Sequence, residues 1–582
     1  MWHTEHLVGS AEAVTKSAEV QKNVDFSWGI KIPMRDGIHL NATIYKPKSG
    51  GPTPVIFTLT PYISDSYHER AFYFAHHGYA FVLVDCRGRG NSEGDFEPFI
   101  NEGRDGYDIV EWLAAQSWCN ASVTMWGGSY AGFDQWMALK ELPPHLRTIV
   151  PAASAHAAVD FPFYKNVFFA YEMQWLTFIS GVTGNANLFG EEAFWIEKFR
   201  ELYLNHRPFK ELDQVVGNFS NHFQKLLQHP TPDAYWDQMA LTPEDYERIN
   251  IPILTITGHY DDDQPGAMHY YQQHMRSASP ARQQHYLIIG PWDHAGTRTP
   301  NQEFGGLKFK EACLLDLNKL HTEWYDWTLK GGPKPDFLKQ RVAYYLAGAE
   351  EWKYSDSIDS ISNITRRLYL NSTNGSANDS FHSGTLEETP PAEAQPDNYM
   401  YDPLDVRPAD LEREEIKDYL TDQRYALNLF GNGLVYHSAP FEAETEITGY
   451  LKFVVWIALD VPDTDFQAIV YEILQDGSSI NLTQDLLRAR YRQSLRHEQL
   501  VTVGEINHYE FEGFTFFSRR ISKGSRLRLL INSPNMIYLQ KNYNSGGVVA
   551  DESGKDARTA HVTLYHDADH LSYLELPLVK TV

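Results

Sequence analysis

The octapeptide MWGGSYAG, residues 125–132, is the segment that most restricts what this chain can fold into. An apolar run ends in two glycines and a serine, and a helix-like run, FDQWMALKEL, follows at once. A strand that turns into a helix within so few residues forces its apex into a strained backbone conformation, and small neighbours must let the two elements approach. That reading puts Ser129 at the carboxyl edge of a sheet, beside the positive end of a helix. Gly127 and Gly132 provide the room, while Ala131 stands where such turns usually carry glycine. The plainer alternative is an ordinary βα turn with a capping serine.

The flanking pattern supports a sheet. Short apolar runs occupy 54–62, 80–88, 122–128 and 148–153, separated by helical patterns such as residues 104–116. Strands alternating with helices imply a parallel sheet covered on both faces. Upstream, Asp36-Gly37 between alternating apolar residues reads as a hairpin turn. The rhythm breaks at 154–249, a stretch rich in aromatics at helical spacing with no convincing strand, then resumes with IPILTITGHYDD (251–262) and HYLIIGPWDHAG (285–296). A helix over 314–331 closes that block.

Beyond it come short β-rich segments such as VAYYLAGAEEW, EITGYLKFVVWIALD and RLRLLINS, as expected of an antiparallel sandwich or jelly roll. Residues 371–398 read as a polar loop. The expectation is an α/β-hydrolase domain in two parts (1–153 and 250–340), a helical cap (154–249) and a jelly-roll domain (341–582).

Composition narrows the function classes. A formal charge of −26 argues against nucleic acid, whose binding draws its affinity from cationic contacts to phosphate. Three cysteines, Cys86, Cys119 and Cys313, rule out a disulfide framework and lack metal-site spacing, so neither metal nor cofactor is implied. No uninterrupted apolar run of about 18 residues suggests a membrane span. The N-terminal twenty residues lack the pattern of a secretory signal, so a cytoplasmic protein is expected, and a homo-oligomer is compatible with the sequence. The high aromatic share, 14%, favours large packed interfaces between layers or an aromatic-lined pocket.

A serine hydroxyl needs a base to take its proton and an acid to orient that base. Two later strands end in suitable residues: ILTITGHYDDD delivers Asp261, Asp262 and Asp263, and YLIIGPWDH delivers His294. Ser129, Asp261 and His294 follow the order serine, acid, histidine of α/β hydrolases, although the acid could be any of the three aspartates. The oxyanion needs two donors. One is the backbone N–H of Tyr130, and the second should come from the loop after an early strand, where TLTPYISD places Tyr62. A phenol is polar yet neutral at pH 7.

In this order, LTPY, VDCRGRGNSEGDF, MWGGSYAG, TGHYDD and IIGPWDHAG resemble the serine hydrolases that include bacterial cocaine esterase, α-amino acid ester hydrolases and X-prolyl dipeptidyl aminopeptidases. The resemblance continues through VPDTDFQAIVYEILQDGSSINLTQDLLRARYR and HVTLYHDADHLSYLELPL. It implies the same three-part architecture, and it makes Ser129 the nucleophile, His294 the base, Asp261 the acid and Tyr62 the side-chain oxyanion donor. Asp85, Arg87 and Gly88 then look like scaffold.

By the same resemblance, the substrate should lie against Trp175, Asp263, Gln264 and the cap near Tyr164. Of the carboxylates that hold a substrate ammonium in the α-amino acid ester hydrolases, only Asp263 is kept. The expected activity is hydrolysis of small carboxyl esters, or activated amides, through an acyl-enzyme. The alternatives are an α-amino acid ester hydrolase or acylase, then an X-prolyl peptidase. A jelly roll that binds carbohydrate or a protein partner is the non-enzymatic reading.

Overall fold

The computed structural model describes residues 23–372 and 375–580. The hairpin expected at Asp36-Gly37 joins β1 (Val24–Pro33) to β2 (His39–Pro47), with Pro33 opposite His39. Gly37 takes a φ of 91° in this turn, which glycine adopts without strain. The strands β3 (Thr53–Thr60), β4 (Ala80–Asp85), β5 (Cys119–Ser129) and β6 (Leu146–Ser154) follow. They are almost continuously apolar and buried, as strands covered on both faces must be.

Between β6 and the next long strand lies the cap. It is mostly helical, with helices at Tyr171–Phe178 and Glu192–Leu204 among others. It also contains a two-residue hairpin that the sequence pattern did not suggest, β7 (Phe163–Tyr164) with β8 (Val167–Phe168). The parallel sheet resumes with β9 (Ile253–Tyr260) and β10 (His285–Asp293). A small hairpin, β11 (Glu303–Phe304) and β12 (Leu307–Lys308), and the helix Leu317–Lys330 come next.

The chain then adds β13 (Val342–Leu346) and β14 (Glu351–Ser355). These were expected to open the jelly roll at residue 341. Instead β13 pairs in parallel with β10, and β14 closes the edge antiparallel to β13. The reason is register: Val342, Ala343 and Tyr344 align with Leu287, Ile288 and Ile289, extending the buried face of the sheet. The first sheet therefore has ten strands in the order β1-β2-β4-β3-β5-β6-β9-β10-β13-β14.

Thirteen further strands, from Ile364–Asn371 to Tyr573–Leu578, form the β-rich C-terminal domain around its own apolar core. Nearly all pair antiparallel; an exception is Gly384–Glu387, which runs parallel to Gly433–Ser438. That strand lies inside the segment read as a loop, where the alternation Gly-Thr-Leu-Glu buries Gly384 and Leu386 only. Among the described residues, no helix is long and apolar enough to cross a membrane.

Candidate active site

The sharp turn after β5 takes the form the octapeptide requires. Ser129 has φ 60° and ψ −125°, outside the basins open to an ordinary L-residue, and the helix Tyr130–Lys140 starts immediately after it. Its side chain does not cap that helix. The glycines are spatially necessary. A Cβ on Gly127 would lie 2.6 Å from the Ala131 Cβ, and one on Gly132 would run into the Ser154 hydroxyl and sit 3.0 Å from the Ala152 carbonyl oxygen. Strained residues of this kind cluster at functional sites.

The acid loop follows β9. The Asp261 carboxylate is fully buried; its Oδ1 accepts from His294 Nδ1 at 2.9 Å and from the Asp263 N–H at 3.1 Å, while Oδ2 accepts from the Thr257 hydroxyl at 2.7 Å. Of the three aspartates, Asp261 makes the shortest contact with His294. Asp262 is exposed, and Asp263 Oδ2 lies 3.8 Å from His294 Nδ1. The same Asp263 oxygen accepts from Ser129 Oγ at 3.5 Å, so this carboxyl borders both the serine and the histidine. Burial, reinforced by the negative neighbours Asp160, Asp261 and Asp262, pushes Asp263 well above the usual carboxylate range, and Arg298 opposes the shift.

Tyr62, on the loop after β3, faces the serine. Trp175 Nε1 donates to its hydroxyl oxygen at 3.0 Å, and Ser129 also interacts with that hydroxyl. Burial raises the phenol above its ordinary value, so it stays protonated. Because the oxygen already accepts from Trp175, its own O–H remains available to donate. Arg89 fixes this arrangement, which the sequence reading missed. Fully buried, it donates from Nε to Pro61 O at 2.8 Å and from Nη1 to Ile179 O at 2.6 Å and to Gly181 O. It thereby ties the Tyr62 loop to the end of the helix that carries Trp175. Arg87, expected as scaffold, pairs with Asp105 and Asp36 at the loop after β4.

Ser129, Tyr62, Tyr130, Trp175 and Asp263 line one small cavity of about 20 Å³, together with Phe99, Phe161, Tyr171 and Ala155. That space holds roughly one water. Phe161 and Tyr171 come from the aromatic-rich cap and Phe99 from the loop after β4, and only the fold brings them together. Tyr130 has a second role, because its hydroxyl donates to Glu102 Oε1 at 2.6 Å and accepts from the Phe99 N–H at 2.6 Å. Phe99, at a φ of 69°, is held as a wall by that bond and by stacking on Trp175.

Two residues expected at the substrate lie elsewhere. The Tyr164 hydroxyl bonds the Gly513 carbonyl and lies 3.2 Å from Asp485 Oδ1. The Gln264 amide is buried against Gly258 and Phe516. Both are engaged by the C-terminal domain, and neither lines the cavity.

The chain resembles known proteins along nearly its whole length. The family model for the X-Pro dipeptidyl-peptidase (S15 family) matches residues 36–296, and that for the X-Pro dipeptidyl-peptidase C-terminal non-catalytic domain matches 337–575. Cocaine esterase of Rhodococcus sp. (strain MB1 Bresler) is 26% identical, across 96% of this chain and 100% of that protein. Two solved structures share the fold. An aminopeptidase from a Thaumarchaeota archaeon of marine sediment superposes with a TM-score of 0.82 at 21% identity, covering 99% of this chain and 98% of that one. An α-amino acid ester hydrolase gives 0.82 at 22% identity, covering 99% of both. With both halves of the chain matched in order and the strained serine where the fold presents it, the chain belongs to the S15 family of serine hydrolases, which includes cocaine esterase, the α-amino acid ester hydrolases and the X-prolyl dipeptidyl aminopeptidases.

Proposed function

We propose that this hydrolase cleaves small carboxyl esters through an acyl-enzyme on Ser129, with His294 as the base and Asp261 as the acid that orients it. The observation that supports this most is Ser129 itself: a strained, non-capping serine whose side chain opens on an aromatic cavity beside a protonated tyrosine. In this reading His294 Nδ1–H donates to Asp261, which leaves Nε2 to take the proton from Ser129 Oγ as that oxygen bonds the carbonyl carbon. Negative charge develops on the former carbonyl oxygen, where the Tyr62 O–H and the Tyr130 N–H donate. The C–O bond to the leaving alkoxide breaks as His294 returns the proton to it. Water then attacks the acyl-enzyme by the same route and releases the acid.

A second reading has a specific observation behind it. Asp263 places a buried carboxyl in the cavity wall. An acyl group bearing an ammonium would be recognised there by a charge-assisted hydrogen bond, contributing roughly 1.5–3 kcal/mol. One experiment tests both readings. Fluorophosphonate labelling and turnover of a panel (p-nitrophenyl acetate, phenylglycine methyl ester, an X-Pro anilide) are measured for the wild type and Ser129→Ala. Labelling and turnover should both vanish in the variant, and folded wild type that is neither labelled nor active would refute the serine mechanism. The substrate with the largest kcat/KM decides between neutral and amine-bearing acyl groups.

A further inference from the structure

The two residues that were expected at the substrate hold one short piece of the C-terminal domain. The segment 513–516 precedes the strand Phe517–Ile521. On its own domain it is anchored by Asp485, whose Oδ2 accepts from the Gly513 N–H at 2.7 Å, and by Thr483, whose hydroxyl meets that of Thr515 at 2.9 Å. The catalytic domain grips it at both ends. Tyr164, at the start of the cap, bonds the Gly513 carbonyl. Gln264 takes both backbone groups of Phe516: the N–H donates to Oε1 at 2.6 Å, and Nε2 donates to the carbonyl at 2.9 Å.

Gln264 is also part of the acid loop. Its Nε2 donates to Gly258 O at 2.8 Å, before the loop, and its backbone N–H donates to Asp261 O at 3.0 Å, within it. A single buried residue therefore joins the end of β9 and the backbone of Phe516 through its side-chain amide, and the turn that carries Asp261 through its backbone N–H. The Phe516 ring is itself wholly buried and packs edge-on against Tyr344 and Tyr450, so the strut behind the amide is rigid. There is no slack at the other end, because a Cβ on Gly513 would collide with Asp485, Lys165 and the Tyr164 hydroxyl.

We propose that Gln264 is a positioning residue through which the segment 513–516 sets the orientation of Asp261, and through it that of His294. The C-terminal domain then contributes to turnover without providing a reacting group. The inference rests on the assignment of Asp261 as the orienting acid. Displacements of the order of 1 Å in a positioned catalytic group cost roughly a hundredfold in rate, whereas a purely structural bond affects stability alone.

The test compares full-length wild type, Gln264→Met, Gly513→Ala and the double variant. Steady-state kinetics on p-nitrophenyl acetate are read beside circular dichroism and Tm. Gln264→Met keeps the volume and removes the side-chain hydrogen bonds; Gly513→Ala displaces the far end of the segment that carries Phe516, from the other domain. Each single variant should lose roughly ten- to a hundredfold in kcat with KM within about threefold, and the double variant should be no worse than the poorer single one. Folded variants with kcat within about twofold of wild type, a change confined to KM, or additive losses would overturn the proposal. If Gln264→Met fails to fold, Gly513→Ala decides alone. Wild type that resists fluorophosphonate would instead overturn the catalytic assignment, so the two failures are distinguishable.

Discussion

Tyr62 shows how much a single neutral hydroxyl can be asked to do. Its oxygen accepts from Trp175, burial keeps its proton in place, and it stands beside Ser129. Tyr62→Phe removes the O–H and leaves the ring. As an oxyanion donor its loss should lower kcat by roughly 10²–10³ with little change in Tm, measured with p-nitrophenyl acetate. A kcat within a few-fold of wild type would leave Tyr62 as packing. At this scale the sequence was informative about residues that chemistry requires and uninformative about residues that only neighbours define. Ser129, Asp261 and His294 announce themselves by order and by position after strands. Phe99, Phe161 and Arg89 do not, because a phenylalanine or a buried arginine acquires its role from chain segments up to 92 residues away. Gln264 and Tyr164, placed near the substrate by the resemblance, bond a segment of the C-terminal domain, a partner that no local pattern indicates.

Among the elements, the tightest constraint is the junction of β5 with the helix that follows. That helix packs so closely on β6 that Gly132 has the Ala152 carbonyl and the Ser154 side chain where a methyl group would go. Gly132→Ala should destabilise the protein by roughly 1–3 kcal/mol through overpacking and lower Tm, with the loss of activity following from a displaced Ser129. An unchanged Tm would mean that the helix can shift without consequence. The α/β alternation was legible because buried parallel strands are continuous apolar runs, and residues 342–352 after β10 were visible as β-rich. Their allegiance was not. Which sheet Val342–Leu346 joins depends on which edge is open in space, and no local pattern encodes that.

For the whole molecule, the buried ionisable groups fix how stability responds to pH. Burial raises Glu102, Glu192 and Glu412 to about 7 and Asp160 to about 8, and pushes Asp134, Glu172 and Asp263 well above the carboxylate range. A raised carboxyl keeps its proton in the native state when the unfolded chain has lost it. Its contribution is therefore complete below about pH 4 and fades as pH rises through the native value. Buried histidines act on the acid side. His259 and His321 are lowered to about 3, and His269, His274 and His437 to about 4, so the unfolded chain takes up their protons first as pH falls.

Lys541, lowered to about 7 by burial, opposes the carboxyls above neutrality with a single proton. Above about pH 6.5 the histidines no longer offset the carboxyls, so stability should decline from pH 6.5 toward pH 8.5. Guanidinium midpoints at constant ionic strength measure this, and a steady rise from pH 6.5 to 8.5 would contradict it.

The last two strands of the first sheet, β13 and β14, bear on how this protein can be recombined. The peptide between the long helix and the β-rich half looks like a hinge between modules, and a crossover at residue 341 looks natural. Cutting there would leave β10 with a bare hydrogen-bonding edge in one product and two orphaned strands in the other. Chimaeras that exchange halves with relatives should join after Ser355, and they should carry Gln264 together with the Phe516 backbone it grips, as a matched pair.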